Sequence, residues 1–430
     1  MMLDSYFKLR EHGTSPRIEV LAGLSTFLTM AYIVFVNPEI LAASGIPKDA
    51  VFVATCLAAA LGTAIMGLYA NYPIALAPGM GLNAYFAFTV VGGMGFSWQV
   101  ALGAVFISGC LFILVSVFRL REWIVNAIPH SLKLAISAGI GLFLALIGLK
   151  NAGIVVGNPA TLLGLGDLRQ HAPQLAIGGL LLIVALEARR IKGGIIIGIL
   201  AVTAASIALG YSEFKGVFSA PPSLAPTLGQ LDIAGALNAG LMTVVLTFFV
   251  VELFDATGTL IGVCHRAGLL DEHGKLPRLN RALLADSTAI VAGAALGTSS
   301  TTAYIESAAG TAAGGRTGLT AVVVALLFIA ALFFAPLAGS VPAYATAPAL
   351  IYVAVLMARG LAEIKWQDLT ESAPALLCAV GMPFAFSIAD GIAFGFVSYA
   401  GIKLLAGRAR EVPLAVWAIA LLFIAKFALL

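Results

Sequence analysis

Residues 248–262, FFVVELFDATGTLIG, place two carboxylates in a stretch that is otherwise apolar enough to cross a membrane. Glu252 and Asp255 are three residues apart, and Thr259 follows four residues later, so a helix brings all three to one face. An ionised side chain at the centre of a membrane helix costs at least about 2.5–3.5 kcal/mol, and residues retained at such a cost usually have a function. We therefore expect this helix to carry the substrate and proton site of a transporter.

The composition excludes an ordinary soluble protein. Of 430 residues, 60% are hydrophobic and 10% are charged, against roughly 25% charged in a soluble domain. Apolar segments recur along the whole chain, which predicts an all-α polytopic membrane protein embedded in a lipid bilayer. The net charge of +3 comes from scattered basic residues, so no nucleic-acid partner is expected. The cysteines have no paired spacing and are expected to be small buried residues, with no metal site and no disulfide: Cys56, Cys110, Cys264 and Cys378.

The apolar segments divide into two sets of seven. The first set of predicted spans is 17–36, 50–70, 74–92, 98–119, 129–149, 173–188 and 192–210. The second set is 237–263, 279–297, 298–313, 317–336, 342–359, 371–387 and 389–406. Residues 412–430 form a further apolar stretch, which either crosses the membrane or lies at its surface.

The basic residues indicate the orientation. With the N-terminus in the cytoplasm, nineteen Lys and Arg residues fall inside and four fall outside. The inside set includes Arg119, Arg121 and Lys275, and the outside set is Lys48, Lys150, Arg169 and Lys215. Under the positive-inside rule this distribution predicts a multi-pass protein of the cell (inner) membrane with a cytoplasmic N-terminus.

Two predicted spans are irregular. Residues 73–83 read PIALAPGMGLN, and residues 297–307 read GTSSTTAYIES. Prolines, glycines and hydroxyl residues cannot face lipid in a continuous helix, so these spans are expected to be broken and to line a cavity. Seven spans per half require the halves to be inverted, and corresponding broken helices then meet at a central binding site. Asn83 and Glu306 fall in the first turns after the breaks.

The same stretches resemble a known family. VELFDATGTLIGV, ADSTAIVAGAALGTSSTTAYIESAAG and PGMGLNAYF are similar to the signature segments of the AzgA-like adenine/guanine/hypoxanthine permeases, a branch of the nucleobase/ascorbate transporter superfamily. The resemblance implies fourteen spans in two inverted repeats of seven, with half-helices in spans 3 and 10. It implies proton-coupled import of purine bases by an elevator-like motion, in a protein that is often a homodimer and uses no cofactor besides the coupling proton.

The resemblance also implies a domain organisation. A core domain comprises 17–128 (spans 1–4) and 237–341 (spans 8–11). A gate domain comprises 129–236 (spans 5–7) and 342–406 (spans 12–14). Residues 407–430 form a C-terminal apolar segment.

Site residues follow from the same resemblance. Glu252 corresponds to the eighth-span acid that hydrogen-bonds the base, and Glu306 to the tenth-span residue that faces it. Gly81 and Asn83 correspond to the third-span side of the pocket, and we add Thr302 to the expected substrate-binding set.

Proton coupling is assigned to Glu252, Asp255 and Glu306, because burial and neighbouring carboxylates favour the protonated form of an acid. An aromatic ring is expected to stack on the purine, from among Phe86, Phe248, Phe249 and Tyr304.

The sequence supports other functions less well. A carrier of another small polar or anionic solute is possible on the same fold, but an anion calls for basic residues at the centre, where this sequence has acids. An intramembrane enzyme is not expected, because Glu252 and Asp255 share one helix and no zinc triad or serine–histidine pair is placed to react. Asp286 is expected to belong to a packing network, and Asp390 to a loop.

Overall fold

The computed structural model describes residues 2–118, 128–237, 242–270 and 276–429, and these residues are mostly helical. The helices of the first half are α1 (Met2–Phe7), α2 (Pro16–Met30), α3 (Ile33–Ala42), α4 (Lys48–Ile65), α5 (Met80–Ala84), α6 (Trp98–Val117), α7 (His130–Asn151), α8 (His171–Ala188), α9 (Gly194–Ala208) and α10 (Ile233–Ala236). Those of the second half are α11 (Met242–Arg266), α12 (Leu279–Leu296), α13 (Ser307–Ala312), α14 (Gly318–Ala331), α15 (Ala335–Ser340), α16 (Ala343–Ala358), α17 (Leu369–Phe384), α18 (Ile388–Leu405) and α19 (Leu414–Leu429).

Short strands and tighter or wider helical turns complete the described chain. The strands are β1 (Leu76–Pro78), β2 (Val155–Asn158), β3 (Leu162–Leu165) and β4 (Thr301–Ala303). π-Helical segments extend α4 over Met66–Ala70 and α5 over Tyr85–Gly93. 3₁₀ turns occupy Leu332–Phe334, Arg359–Glu363 and Ala409–Glu411.

The helix lengths establish a multi-pass membrane protein. Within the described ranges, nine helices are long and apolar enough to cross a membrane, and they coincide with predicted spans 1, 2, 4, 5, 6, 8, 11, 12 and 14. Shorter apolar helices correspond to spans 7 and 13 and to the C-terminal stretch. Span 9 corresponds to α12, in which Arg281 and Asp286 interrupt the apolar sequence. The number of fourteen crossings stays a prediction.

Predicted spans 3 and 10 are both interrupted by extended backbone. β1 and β4 pair antiparallel, with Leu76 opposite Ala303 and Pro78 opposite Thr301. The pairing continues at both ends, because Gly79 N donates to Ser300 O (2.8 Å) and Tyr304 N donates to Ala75 O (2.9 Å). Since extended backbone inside a bilayer must be satisfied by protein, the two breaks satisfy each other's hydrogen bonds.

The helices form two packing groups. In the first, α12 packs against α4 and α6, while α14 packs against α2 and α4. In the second, α7 packs against α16 and α17, and α17 packs against α18. The groups meet where α5 contacts α7, α2 contacts α9, and α11 contacts α7 and α18. Both broken spans therefore lie in the first group, and α5 faces the second.

Two expectations from the sequence are wrong. Asp390 lies in the first turn of α18 rather than in a loop, because Ser387 caps that helix by accepting from Asp390 N (3.2 Å). Cys110 is exposed on α6, whereas Cys56, Cys264 and Cys378 are buried, and all four are free thiols. An apolar helix that faces lipid gives no sequence signal for which side is exposed. Arg119, Arg121 and Lys275, which contributed to the orientation, lie outside the described residues.

Candidate functional site

Asp255 is the carboxylate that faces the paired breaks. It lies on α11, and a Cβ built on Gly79 would stand 3.9 Å from Asp255 Oδ2 and 3.2 Å from Thr302 Cγ2. Glycine at position 79 therefore lets the backbone after β1 approach both α11 and β4. Asp255 is only partly buried, and it interacts electrostatically with Glu306 and Asp286. Its carboxylate is thus accessible at the point where the two broken spans meet.

Glu306 provides a second partly exposed carboxylate, beyond the other end of the β1–β4 pairing. It directly precedes α13, where the tenth predicted span resumes helical structure after β4. Tyr32 lies between α2 and α3, and its hydroxyl donates to Glu306 Oε1 at 2.6 Å. Glu306 is also partly exposed. A charge-assisted bond of this length fixes one carboxylate oxygen.

Glu252 lies in a different environment from Asp255. It is fully buried, and Ser108 Oγ on α6 donates to Glu252 Oε2 at 2.9 Å. Residues three apart on a helix differ by about 60° in direction. That difference suffices here to direct Glu252 towards α6 and Asp255 towards the breaks. The structure therefore brings together Asp255 and Glu306 and gives Glu252 a contact within the packing of the first group.

The predicted third-span residues have separate roles. The Asn83 side-chain amide donates to Asn37 Oδ1, and Asn37 in turn donates to the Thr55 (2.7 Å) and Thr298 (3.0 Å) hydroxyls. This buried network connects the segment after β1 to the segment before β4. Gly81 faces α7, because a Cβ there would stand 2.3 Å from Ile140 Cγ2. Gly81 thus permits close contact between the two packing groups.

Asp286 on α12 holds β4 in position through two hydrogen bonds. Asp286 Oδ1 accepts from Thr302 Oγ1 (3.2 Å) and from Ala303 N (3.0 Å). Asp286 is fully buried on α12, in agreement with the packing network expected for it. The Thr302 hydroxyl is therefore engaged with Asp286, and its methyl group faces Gly79.

Tyr304 is the aromatic candidate that interacts electrostatically with both carboxylates, Glu306 and Asp255. Its hydroxyl donates to Pro78 O at 2.5 Å. Phe248 packs edge-to-face on Tyr85 (ring centroids 5.2 Å apart), and Phe249 packs edge-to-face on Phe112 (5.5 Å). Those two rings are used in packing between helices.

Sequence reasoning did not include Tyr32 or Gly79 in the site. Tyr32 reaches Glu306 across 274 positions of sequence, so no local pattern indicates the contact. Gly79 does carry a signal, because it lies in the quoted PGMG segment directly after β1. Within the described residues, no group of three or more His, Cys, Asp and Glu side chains is arranged to hold a metal ion.

Broken membrane helices that meet around accessible carboxylates are the site of a membrane transporter. The comparisons with known proteins agree with this class and exclude an enzyme. The chain belongs to the Permease family (Xan_ur_permease), whose model matches residues 17–394, and its relatives place it with the AzgA-like permeases.

Similar proteins match over nearly the whole chain. Adenine permease AdeP of Escherichia coli (strain K12) is 54% identical over 425 residues, which cover 99% of this chain and 96% of that protein. Guanine/hypoxanthine permease PbuG of Bacillus subtilis (strain 168) is 46% identical over 437 residues, covering 99% of each. The solved transmembrane domain of a cyanobacterium bicarbonate transporter, BicA, matches with a TM-score of 0.68 at 14% identity, covering 87% of this chain and 96% of that one. This last likeness shows the fold alone.

Proposed function

We propose that the protein imports purine nucleobases (adenine, guanine or hypoxanthine) together with protons. The observation that carries the proposal is the pair of partly exposed carboxylates, Asp255 and Glu306, which lie towards the two ends of the β1–β4 pairing and interact electrostatically. The relatives named as adenine and guanine/hypoxanthine permeases support the substrate class.

The chemistry of the substrate fits this pair. A purine base is planar and presents ring N–H donors and ring N or carbonyl acceptors along its rim. An ionised carboxylate only accepts hydrogen bonds, whereas a protonated one also donates. Asp255 can accept from an N–H on one edge of the base, and Glu306 can either accept or donate on another edge. Tyr304 offers an aromatic face beside them.

Asp255 takes over the substrate-binding role that the sequence assigns to Glu252. The Asp255 carboxylate is accessible and faces Gly79, whereas Glu252 is fully buried against Ser108. We infer that Glu252 positions α11 against α6. Thr302 helps to position β4 through its hydrogen bond with Asp286, and Asn83 helps to position the segment after β1 through its hydrogen bond with Asn37. Gly81 permits the close contact of that segment with α7.

Proton coupling is inferred from the electrostatic interaction between Asp255 and Glu306. Two carboxylates that share a poorly solvated site cannot both stay ionised at low cost, so one binds a proton more readily. Binding of the neutral base between them completes a protonated, low-charge complex. Release of the base and the proton on the cytoplasmic side then resets the site.

The two packing groups supply the moving parts. We propose that the first group is the core domain (17–128 and 237–341) and that the second is the gate domain (129–236 and 342–406). In this proposal fourteen crossings form two inverted repeats, and the core carries the site past the gate in an elevator-like motion. The contacts of α5 with α7 and of α2 with α9 form the surface along which the domains move. The protein lies in the cell (inner) membrane with a cytoplasmic N-terminus, and a homodimer is proposed from the family resemblance.

An anionic solute is the second candidate, since the fold is also that of a bicarbonate transporter. The residues that meet at the breaks argue against it, because Asp255, Glu306 and Asp286 would repel an anion.

Uptake of radiolabelled adenine, hypoxanthine, guanine and uracil into transporter-deficient cells, with and without a protonophore, tests the proposal. We expect purine uptake that the protonophore abolishes. If a well-expressed protein takes up none of the purines, the substrate assignment is refuted. If purine uptake is insensitive to the protonophore, the proton coupling is refuted instead.

A further inference from the structure

A second carboxylate–tyrosine pair lies in the second packing group. Glu187 is in the last turn of α8 and is the one acidic residue of that helix, HAPQLAIGGLLLIVALEA. The Tyr352 hydroxyl on α16 donates to Glu187 Oε2 at 3.4 Å. Both side chains are partly exposed. The pair therefore joins two helices of the second group.

This pair is electrostatically coupled to the substrate-site carboxylate. Glu187 and Tyr352 each interact with Glu306, and Tyr352 also interacts with Tyr32. The Tyr32 hydroxyl in turn donates to Glu306. Glu306 with Tyr32 and Glu187 with Tyr352 are thus two hydrogen-bonded carboxylate–tyrosine pairs, one in each packing group, that interact electrostatically with each other.

The Glu187 end of the series adjoins an exposed basic loop. Arg189 and Arg190 are exposed directly after α8. Lys192, two residues further on, donates to Ser25 Oγ on α2 at 2.7 Å. Basic residues at the end of a span indicate the cytoplasmic face. Glu187 therefore lies between the substrate site and the predicted cytoplasmic surface.

We propose that Glu187 is the proton acceptor through which Glu306 discharges to the cytoplasm, an inference that rests on the proposed function. The Glu306 carboxylic acid gives its proton to the Tyr32 hydroxyl, which releases its own proton to water between the two pairs. That water gives a proton to the Tyr352 hydroxyl, which donates its own proton to Glu187. The Glu187 carboxylate becomes a carboxylic acid and then loses that proton to cytoplasmic water. Acidic residues within membrane segments commonly form such relays.

Groups on each neighbouring element set the proton affinity of Glu187. Tyr352 faces it from α16, and Arg359 acts on Tyr352 from the following turn. Glu187 itself interacts electrostatically with Glu306 in the first packing group. The helix α9 has no titratable side chain, and the loop 189–192 supplies basic charge.

Glu187 also lies next to the start of α9. The competing interpretation is therefore that Glu187 only caps that helix. A Cβ built on Gly194 would stand 2.8 Å from Glu187 Oε1, and the N–H of Ile195 is directed at the carboxylate. A residue that only caps this helix needs an acceptor oxygen, which a glutamine amide also provides. A glutamine cannot take up a proton. Glu187→Gln therefore separates the two roles.

The test uses the full-length protein in liposomes and two measurements. The first is counterflow of labelled adenine at equal pH on both sides, which exchanges base without net proton movement. The second is accumulation of adenine driven by a pH gradient. The variants are Glu187→Gln, Glu187→Asp and Tyr352→Phe. Glu363→Gln, which alters an exposed acid elsewhere in the second group, is the matched control.

We expect Glu187→Gln to retain counterflow within about twofold and to lose gradient-driven accumulation by at least about tenfold, as expected when a proton-transfer group is removed. Glu187→Asp should restore part of the accumulation, Tyr352→Phe should slow it, and Glu363→Gln should match the parent. If Glu187→Gln accumulates adenine as the parent does, or loses both activities equally, the role of Glu187 is refuted while the purine carrier stands. A parent without adenine counterflow refutes the proposed function and this inference with it.

Discussion

Gly81 gives a quantitative test of the contact between the packing groups. In the structure, a Cβ at position 81 would stand 2.3 Å from Ile140 Cγ2, whereas ordinary contacts fall at 3.4–4 Å. Gly81→Ala therefore requires α5 and α7 to separate by about 1 Å, which in a well-packed interior costs about 1–3 kcal/mol. If transport requires the core to pass through this arrangement, its population falls by a factor of roughly 5–150.

The assay is the initial rate of adenine uptake, normalised to the amount of protein in the membrane. Ile140→Leu removes the Cγ2 methyl at nearly constant volume, so the double variant should recover most of the lost rate. Gly178→Ala is the matched control, because a Cβ at that helical position meets nothing within 4 Å. A Gly81→Ala protein with the parent's rate, or one that Ile140→Leu does not rescue, would refute the assigned contact.

Two further predictions concern stability outside the site. Glu19→Ala removes the acceptor for three backbone N–H groups at the start of α14. We therefore expect the free energy of unfolding to fall by about 2 kcal/mol. Thermal unfolding in detergent measures this loss, with the exposed variant Glu11→Ala as the control. Hydrogen bonds from the Thr370 hydroxyl and from Arg408 lower the pKa of Asp368 to about 2. Hydrogen bonds from Arg408 and Lys403 likewise lower the pKa of Glu411 to about 2. Groups whose pKa is lowered by folding stabilise the protein above their ordinary pKa values and lose that contribution as the pH falls through the folded-state values. The melting temperature should therefore fall between about pH 4 and pH 2, and an unchanged melting temperature over that range would contradict the ion pairs.

Much of the architecture could be predicted because membrane burial leaves strong sequence signals. Most of the predicted apolar segments coincide with helices, and the prolines and glycines of 73–83 and the hydroxyl run of 297–307 marked both broken spans. These signals are local: each depends on a few neighbouring residues and on the cost of exposing backbone to lipid.

The arrangement within the site could not be predicted, because it depends on helix rotation and on distant contacts. Glu252 and Asp255 differ by three positions, and only the packing of α11 against α6 decides which one faces the breaks. The bonds of Tyr32 with Glu306 and of Asp286 with Thr302 connect separate elements. A sequence pattern places such residues at the right depth without indicating their partners.

The central claim is that Asp255 and Glu306, and not Glu252, contact the purine. Equilibrium binding of labelled adenine to purified Asp255→Asn, Glu306→Gln and Glu252→Gln proteins tests it most directly. A hydrogen bond to a charged group contributes about 1.5–3 kcal/mol, so the first two variants should bind adenine roughly ten- to a hundredfold more weakly. Glu252→Gln should bind with an affinity near that of the parent, because the Glu252 side chain contacts Ser108 and a glutamine oxygen also accepts from that hydroxyl. Loss of adenine binding in Glu252→Gln, with binding retained in Asp255→Asn, would contradict the account.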